Sequence, residues 1–262
     1  MIVSVVTVTY NAAPVLAATL DSILAQDWPE LDVVVVDGGS SDGTAALLDG
    51  YRDHGWTIVS EADRGVYDAM NKGVGLARGA YVNFMNAGDV FAGPGVISAL
   101  FGAGTPAPGD YVYGDVISVY ATVSKRSFAR PPAFIRRNKP FNHQALFAGR
   151  GWLERFPFDP DYPVVADYEQ VYRAYRNGAR LDRRPVLVAR VDMADGLSKR
   201  SAWRTFRERA GVNWRLAAPG TRLRTGVWLA GNAGYVLALE GLRRLGLFEP
   251  VMGWLGRKNE RP

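Results

Sequence analysis

The sequence predicts an α/β protein built on a mostly parallel central sheet flanked by helices, and three observations carry that prediction. Short β-branched apolar runs alternate with segments of helical period across the first hundred residues. The runs are apolar along their length, as strands covered by helices on both faces require. Polar or acidic residues in small-residue turns follow each run, and in such sheets ligands sit beyond the carboxyl ends of the strands.

Taken in order, residues 2–9 (IVSVVTVT) read as the first strand. Residues 14–26 follow as a helix, with Val15, Leu16, Thr19, Leu20, Ile23 and Leu24 at helical spacing and Pro14 in the first turn. Residues 32–36 form a second, buried strand, and GGSSDG at 38–43 is a tight loop. Residues 44–51 read as a helix, 57–60 as a third strand, 66–77 as a helix and 80–85 as a fourth strand. This βαβαβαβ order implies parallel pairing with right-handed crossovers. After residue 105 the pattern changes. Residues 111–119 and 122–128 read as an antiparallel pair, 145–148 as a strand, 164–175 as a helix and 186–191 as a strand. Residues 198–262 read as amphipathic helices broken near Pro219-Gly220 and Pro250. The chain therefore divides into a body, residues 1–196, and a helical extension, residues 197–262.

Composition narrows the class. The 262 residues hold no cysteine, which excludes disulfides, thiolate metal sites and a cysteine nucleophile. Hydrophobic residues at 48% and charged residues at 22% suit a globular protein. The start, MIVSVVTVTY, lacks a basic region and a small-residue cleavage site, and no uninterrupted apolar run reaches the roughly 18–20 residues that span a bilayer. A cytoplasmic location, with attachment to the inner face of the membrane, is expected. The net charge of +5 is uneven. The body carries 18 Lys/Arg against 22 Asp/Glu, and the extension 13 against 4. Different partners are expected for the two parts.

Candidate chemistry lies at the strand ends. Thr9-Tyr10-Asn11, Asp37, Asp63-Arg64 and Asp89 follow strands one to four. Each is also an ordinary turn-former, but four on one rim point to a ligand. Asp37, followed by two glycines, can accept hydrogen bonds from a base edge or a ribose hydroxyl, with the glycines allowing close backbone approach. Neither a GxGxxG fingerprint nor a P-loop is present. Asp68, Asn71 and Lys72 share one helical face; a nucleotide-facing role suits Asp68 and Asn71, and a solvated role suits Lys72 taken alone. Asp89 ends the turn Asn86-Ala87-Gly88-Asp89 and can anchor a magnesium or manganese ion whose remaining ligands are diphosphate oxygens and waters. Asp167 and Glu169 open a helix, where an acid serves either as a first-turn charge or as a general base.

The motifs TVTYNAAPVLAATLDSILAQ, VVVVDGGSSDGT, DRGVYDAMNKGVGLARGAYVNFMNAGD, NHQALF and ADYEQVYR, in this order, resemble the family 2 glycosyltransferases, in particular their bacterial polysaccharide and glycolipid branch. The resemblance covers about residues 1–195. It implies a GT-A (Rossmann-like) fold, a nucleoside-diphosphate-sugar donor, a glycan or lipid-linked acceptor, a divalent metal (Mn2+ or Mg2+) and inversion at the anomeric carbon. It implies that Thr9, Tyr10, Asn11 and Asp37 line the nucleotide, with Asp68, Asn71 and Lys72 nearby. Asp89 takes the last place of the metal-binding motif, and Asp167 is the base with Glu169 secondary. His143 and Gln144 lie near the acceptor or the diphosphate. Two positions depart from the family pattern: Asn86 stands where many relatives have a second metal-motif acid, and Ala166 replaces the first acid of the base pair.

The extension interleaves Trp203, Phe206, Trp214, Trp228, Leu229, Tyr235 and Phe248 with arginines, which suits an anionic membrane surface; packing on the body or a homo-oligomer face is the alternative. Nucleic-acid binding is not expected, since the body is acidic and no reader motif occurs. Two rival functions remain. A nucleotidyltransferase is expected to carry a glycine-rich basic loop after the first strand, where this chain has TYNAAP. A non-catalytic nucleotide-sugar-binding protein would account for the missing acids.

Overall fold

The computed structural model describes residues 1–102, 110–120, 123–192 and 202–217, with a few single positions between 220 and 234. Two compact units divide the chain, residues 1–196 and residues 197–262.

In the first unit, β1 (Val3–Thr9) is buried at every position. It pairs in parallel with β2 (Leu31–Asp37) on one side and β4 (Tyr81–Phe84) on the other, and β2 pairs in parallel with β3 (Thr57–Ser60). The helices between them are α1 (Ala13–Leu24), α2 (Thr44–Asp49) and α3 (Val66–Leu76). Leu16, Leu20 and Ile23 of α1 face inward and join Val3, Val5, Val33, Val35, Tyr81 and Phe147 in one core. Gly73 lets α3 lie close on β1, because a Cβ there would stand 2.4 Å from Val6 Cγ1. At the opposite rim, buried Asp32 accepts from Ser4 Oγ at 2.6 Å and from the Arg78 backbone and guanidinium, which ties β1 and β2 to the turn before β4.

The remaining elements are β5 (Val90–Phe91), α4 (Val96–Phe101), β6 (Tyr111–Val119), β7 (Ser124–Ser127), β8 (Leu146–Gly149), α5 (Arg150–Arg155), α6 (Ala166–Arg176) and β9 (Leu181–Asp192). The described strands form one sheet in the order β3-β2-β1-β4-β8-β6-β9-β5, with β7 on β6. β8 runs antiparallel to both β4 and β6, β9 runs parallel to β6, and β7 runs antiparallel to β6. The described strands thus form a mixed sheet whose first half, β3-β2-β1-β4, is parallel as expected and whose second half is not uniformly so. β9 begins five residues earlier than its apolar pattern suggests, because Leu181–Pro185 carries charged residues on a half-exposed face. The two-residue β5 and the one-and-a-half-turn helices α4 and α5 are too short to show a period in the sequence.

This topology fixes where chemistry can gather. Since β8 is reversed between β4 and β6, the carboxyl ends of β1, β2, β3, β4, β6 and β9 share a rim with the amino end of β8.

In the second unit, α7 (Ala202–Leu216) is the described helix. Val212 is buried, whereas Trp203, Arg204, Arg207, Trp214 and Arg215 are exposed within one arc of about 120° at 100° per residue. The rest of the amphipathic pattern, including Trp228, Leu229, Tyr235 and Phe248, lies outside the described residues. No helix among the described residues is long and apolar enough to cross a membrane.

Candidate active site

Beyond β1 and β2 the chain builds a tight polar cup. Asp37, fully buried at the end of β2, accepts from the Ser40 amide and hydroxyl and from Ser60 Oγ at 2.6 Å. Asn11 has a left-handed backbone (φ 48°); its amide donates to Ser40 Oγ at 2.8 Å and its side-chain oxygen accepts from the Ser41 amide at 2.9 Å. The two strand-end loops are therefore locked together. Tyr10 stands 65% exposed beside them, and Thr9 is buried with its hydroxyl lacking a partner among the described residues. A Cβ on Gly38 would meet Asp63 Oδ2 at 2.5 Å and the Tyr10 ring at 3.3 Å, so the loops after β1, β2 and β3 come together at this glycine. Thr9, Tyr10, Asn11, Asp37 and Asp63 thus gather where these loops meet, beside an exposed aromatic ring.

The face of α3 is differently engaged. Asp68 accepts from the Arg64 amide at 3.0 Å and the Arg64 guanidinium at 3.0 Å, closing the loop ahead of the helix. Lys72 pairs with Glu61 at 2.8 Å and donates to the Ala62 carbonyl at 2.9 Å. Both amide atoms of the Asn71 side chain bind the Phe158 backbone, Nδ2 to its carbonyl and Oδ1 from its amide, each at 2.9 Å. Asn71 therefore clamps the segment before α6, a structural task beside the nucleotide-facing one that its helical face suggests.

Two further acids meet across the rim. Asp89 is 7% exposed and follows Gly88, whose φ of 96° turns the chain. Its Oδ2 accepts from Gln144 Nε2 at 2.8 Å and its Oδ1 from the Asp192 amide at 3.1 Å, at the end of β9. Burial pushes the Asp89 carboxyl above its ordinary value, and the Gln144 bond offsets this only in part. Among the described residues no Lys or Arg lies within ion-pair distance of it. Asp167, in the first turn of α6, is also buried, yet its Oδ2 lies 2.6 Å from Lys139 Nζ and 3.4 Å from His143 Nδ1. Desolvation would raise this carboxyl, but the Lys139 charge and the His143 contact outweigh it and hold it well below the usual carboxylate range. His143 and Gln144 are neighbours on a short 3-10 turn (His143–Ala145) before β8, so one dipeptide links Asp89 to Asp167. His143 Nε2 also meets Asn86 Nδ2 at 3.2 Å, in the turn that carries Asp89. Glu169 is fully buried and paired with Arg173 at 3.2 Å, one turn along its own helix.

Lys139 and Asp192 escaped the sequence reading. A loop lysine and a strand-end aspartate carry no local signal, and their contacts span 28 and 103 residues.

The chemistry of the Asp89 site accepts a divalent cation. Hard oxygens suit magnesium or manganese, and each Asp89 oxygen takes one neutral donor and keeps a lone pair. Among the described residues no group of three or more His, Cys, Asp or Glu side chains is gathered to hold a metal. The described side chains thus form no preformed cage, and an ion at Asp89 would need further ligands from outside them.

The model for glycosyl transferase family 2 matches residues 4–159. A PGL/p-HBAD biosynthesis glycosyltransferase of Mycobacterium bovis (strain BCG / Pasteur 1173P2) is 34% identical over 225 residues, covering 81% of this chain and 85% of the relative. Among solved structures, Staphylococcus aureus TarS 1-349 in complex with UDP-GlcNAc superposes with a TM-score of 0.68 at 19% identity, over 88% of this chain and 71% of that one. This chain spans 42% of the longer TarS chain. The mannosyltransferase PcManGT of Pyrobaculum calidifontis, in complex with GDP-Man and Mn2+, superposes with a TM-score of 0.60 at 23% identity, over 96% of this chain and 82% of that one. At these identities the two structures establish a shared GT-A fold.

The Asn71 clamp makes a sharp prediction. Asn71→Ala removes two hydrogen bonds and should cost about 2–3 kcal/mol in urea unfolding, while UDP binding in a thermal-shift titration stays at the wild-type level. Loss of UDP affinity with unchanged stability would return Asn71 to the nucleotide.

Proposed function

From the premise that the chain belongs to the family 2 glycosyltransferases, we propose that it is an inverting enzyme that moves a sugar from a nucleoside diphosphate to a hydroxyl of a glycan or lipid-linked acceptor. The observation that carries this reading is the pairing of two buried carboxylates with opposite electrostatic settings across one dipeptide. Among the described residues Asp89 has no Lys or Arg at ion-pair distance and is raised by burial; Asp167 is held ionised by Lys139. Such a divergence separates a cation ligand from a proton acceptor.

In this reading the cup of Thr9, Tyr10, Asn11 and Asp37 holds the nucleoside. Tyr10 offers a ring face and Asp37 an acceptor edge; Asp68 and Lys72 order the loop that carries Asp63. Asp89, supported by Gln144, holds the metal; when bound, the cation neutralises charge on the departing diphosphate. Asp167 accepts the proton of the attacking hydroxyl, and that oxygen displaces the nucleoside diphosphate from the opposite face of the sugar carbon, which inverts its configuration. Glu169, turned to Arg173, stabilises α6 beneath the base. A UDP-sugar is the first donor to test, since TarS is seen with UDP-GlcNAc. The name of the mycobacterial relative points to glycolipid synthesis. A lipid-linked acceptor would be met at the inner face of the membrane, and the exposed Trp203, Trp214, Arg204, Arg207 and Arg215 of α7 suit that anionic surface.

Three outcomes are expected. Asp167→Asn should lower sugar transfer by at least about a hundredfold with donor affinity retained; wild-type turnover would remove Asp167 from the base role. Asp89→Ala should abolish the manganese-dependent part of UDP binding in calorimetry, and an unchanged manganese effect would reject the ligand role. Replacing Trp203 and Trp214 by alanine should reduce co-sedimentation with phosphatidylglycerol vesicles, and undiminished co-sedimentation would argue for a different surface.

A further inference from the structure

Lys139 has no part in the family motifs, yet its ammonium makes the closest contact to the Asp167 carboxylate. It sits in a segment whose backbone is pinned on both sides. The Pro140 carbonyl accepts from the Arg130 amide at 2.7 Å, the Phe134 carbonyl accepts from the Asn138 amide at 3.0 Å, and the Asn138 side chain accepts from the Lys139 amide at 2.8 Å. The same segment is tied to α6 a second time, where Tyr168 Oη donates to the Ile135 carbonyl at 2.8 Å. The lysine is thus delivered to the carboxylate by a built loop. Its side chain is 25% exposed and that of Asp167 only 7%, so the pair is largely withdrawn from solvent.

We propose that Lys139 is the positioning residue for the base, fixing Oδ2 of the Asp167 carboxylate against His143. The proposal rests on the assignment of Asp167 as base. Oδ1 is held by the adjacent Tyr168 amide at 2.7 Å, leaving Oδ2 as the oxygen that Lys139 and His143 aim together. Facing groups on the other packed elements cannot substitute for the lysine. Met70 of α3 and Phe84 of β4 are apolar, Gln170 of α6 is neutral and bonded to Tyr111, and Glu169 is paired with Arg173. Asp89 is reached only through Gln144. Lys139 and His143 are the groups that compensate the burial of this charge. With Lys139 in place the carboxylate stays ionised through the neutral and mildly acidic range. A new acceptor hydroxyl then always meets the deprotonated form.

The test is a carbon-13 NMR titration of the full chain labelled at aspartate carboxyls, with Asp167→Asn identifying the resonance. In the wild type, Asp167 should show no protonation down to the lowest pH at which the protein stays folded. In Lys139→Met its midpoint should rise by at least about one pH unit, the effect of removing an opposite charge at this range. Lys139→Arg should restore the wild-type behaviour. If Lys139→Met leaves the Asp167 midpoint in place, the proposal is overturned. Any ion pair at this distance lowers the carboxyl, so the positioning role is read separately in the nitrogen-15 shift of the His143 imidazole, which Lys139→Met should move as Asp167 leaves the ring and which a merely structural lysine would leave in place. Should Lys139→Met fail to fold, Lys139→Gln replaces it with the same two outcomes. The titration needs no substrate, so its result stands apart from the Asp167→Asn transfer assay, which decides the base assignment alone.

Discussion

Burying a carboxylate is costly unless something compensates its charge, and this constraint organises the whole rim of the sheet. Three acids lie there almost without exposure, and each is compensated differently. Asp37 is met by neutral donors: two serine hydroxyls and an amide. Asp167 is met by an ammonium and an imidazole. Asp89 is met by one carboxamide and one backbone amide, and burial still raises it. The identity of the partner sorts the roles. In the proposed reading, neutral donors leave Asp37 an acceptor edge for another neutral group, a fixed cation keeps Asp167 ionised, and the weakest compensation leaves Asp89 to a cation from outside. His143-Gln144 matters most because one end of the dipeptide serves Asp167 and the other Asp89.

The sheet makes that dipeptide possible. β8 runs against both neighbours, so its amino end arrives where β4 and β6 finish. Asn83 of β4 donates to the Gln144 and Leu146 carbonyls at 2.9 and 3.0 Å, which sets the start of β8 at a fixed height above the strand that leads to Asp89. β9 adds its last amide to Asp89 from the same rim, past a register shift in β6 near Gly114, where a Cβ would collide with the Val186 carbonyl at 2.3 Å. Backbone direction, rather than any single motif, gathers groups that lie more than a hundred residues apart.

Much of this was legible in the sequence, for definite reasons. β1 to β4 announce themselves because strands buried on both faces must be apolar throughout, and Asp37 and Asp89 stand out because they interrupt that apolarity at the point where a strand must stop. The Asn71 clamp was not legible because helical spacing tells which residues share a face, not what that face meets; here it meets the backbone of Phe158, 87 residues away. Lys139 was invisible because a lysine in an irregular loop is usually solvated, and only the fold brings it to α6. The first half of β9 hid because Arg183, Arg184 and Pro185 read as turn or surface.

The two departures from the family pattern also find a physical account at His143. Asn86 Nδ2 lies 3.2 Å from His143 Nε2, and His143 Nδ1 lies 3.4 Å from Asp167 Oδ2, so the side chain at position 86 meets the same ring that faces the buried carboxylate. A carboxamide at that position brings a polar contact to the ring without bringing a charge. Ala166 acts in the same direction. With no acid beside Asp167 at the start of α6, no adjacent like charge opposes its ionisation, and Lys139 with His143 compensates its burial. Asparagine and alanine at these positions therefore belong to one electrostatic arrangement around a single buried carboxylate.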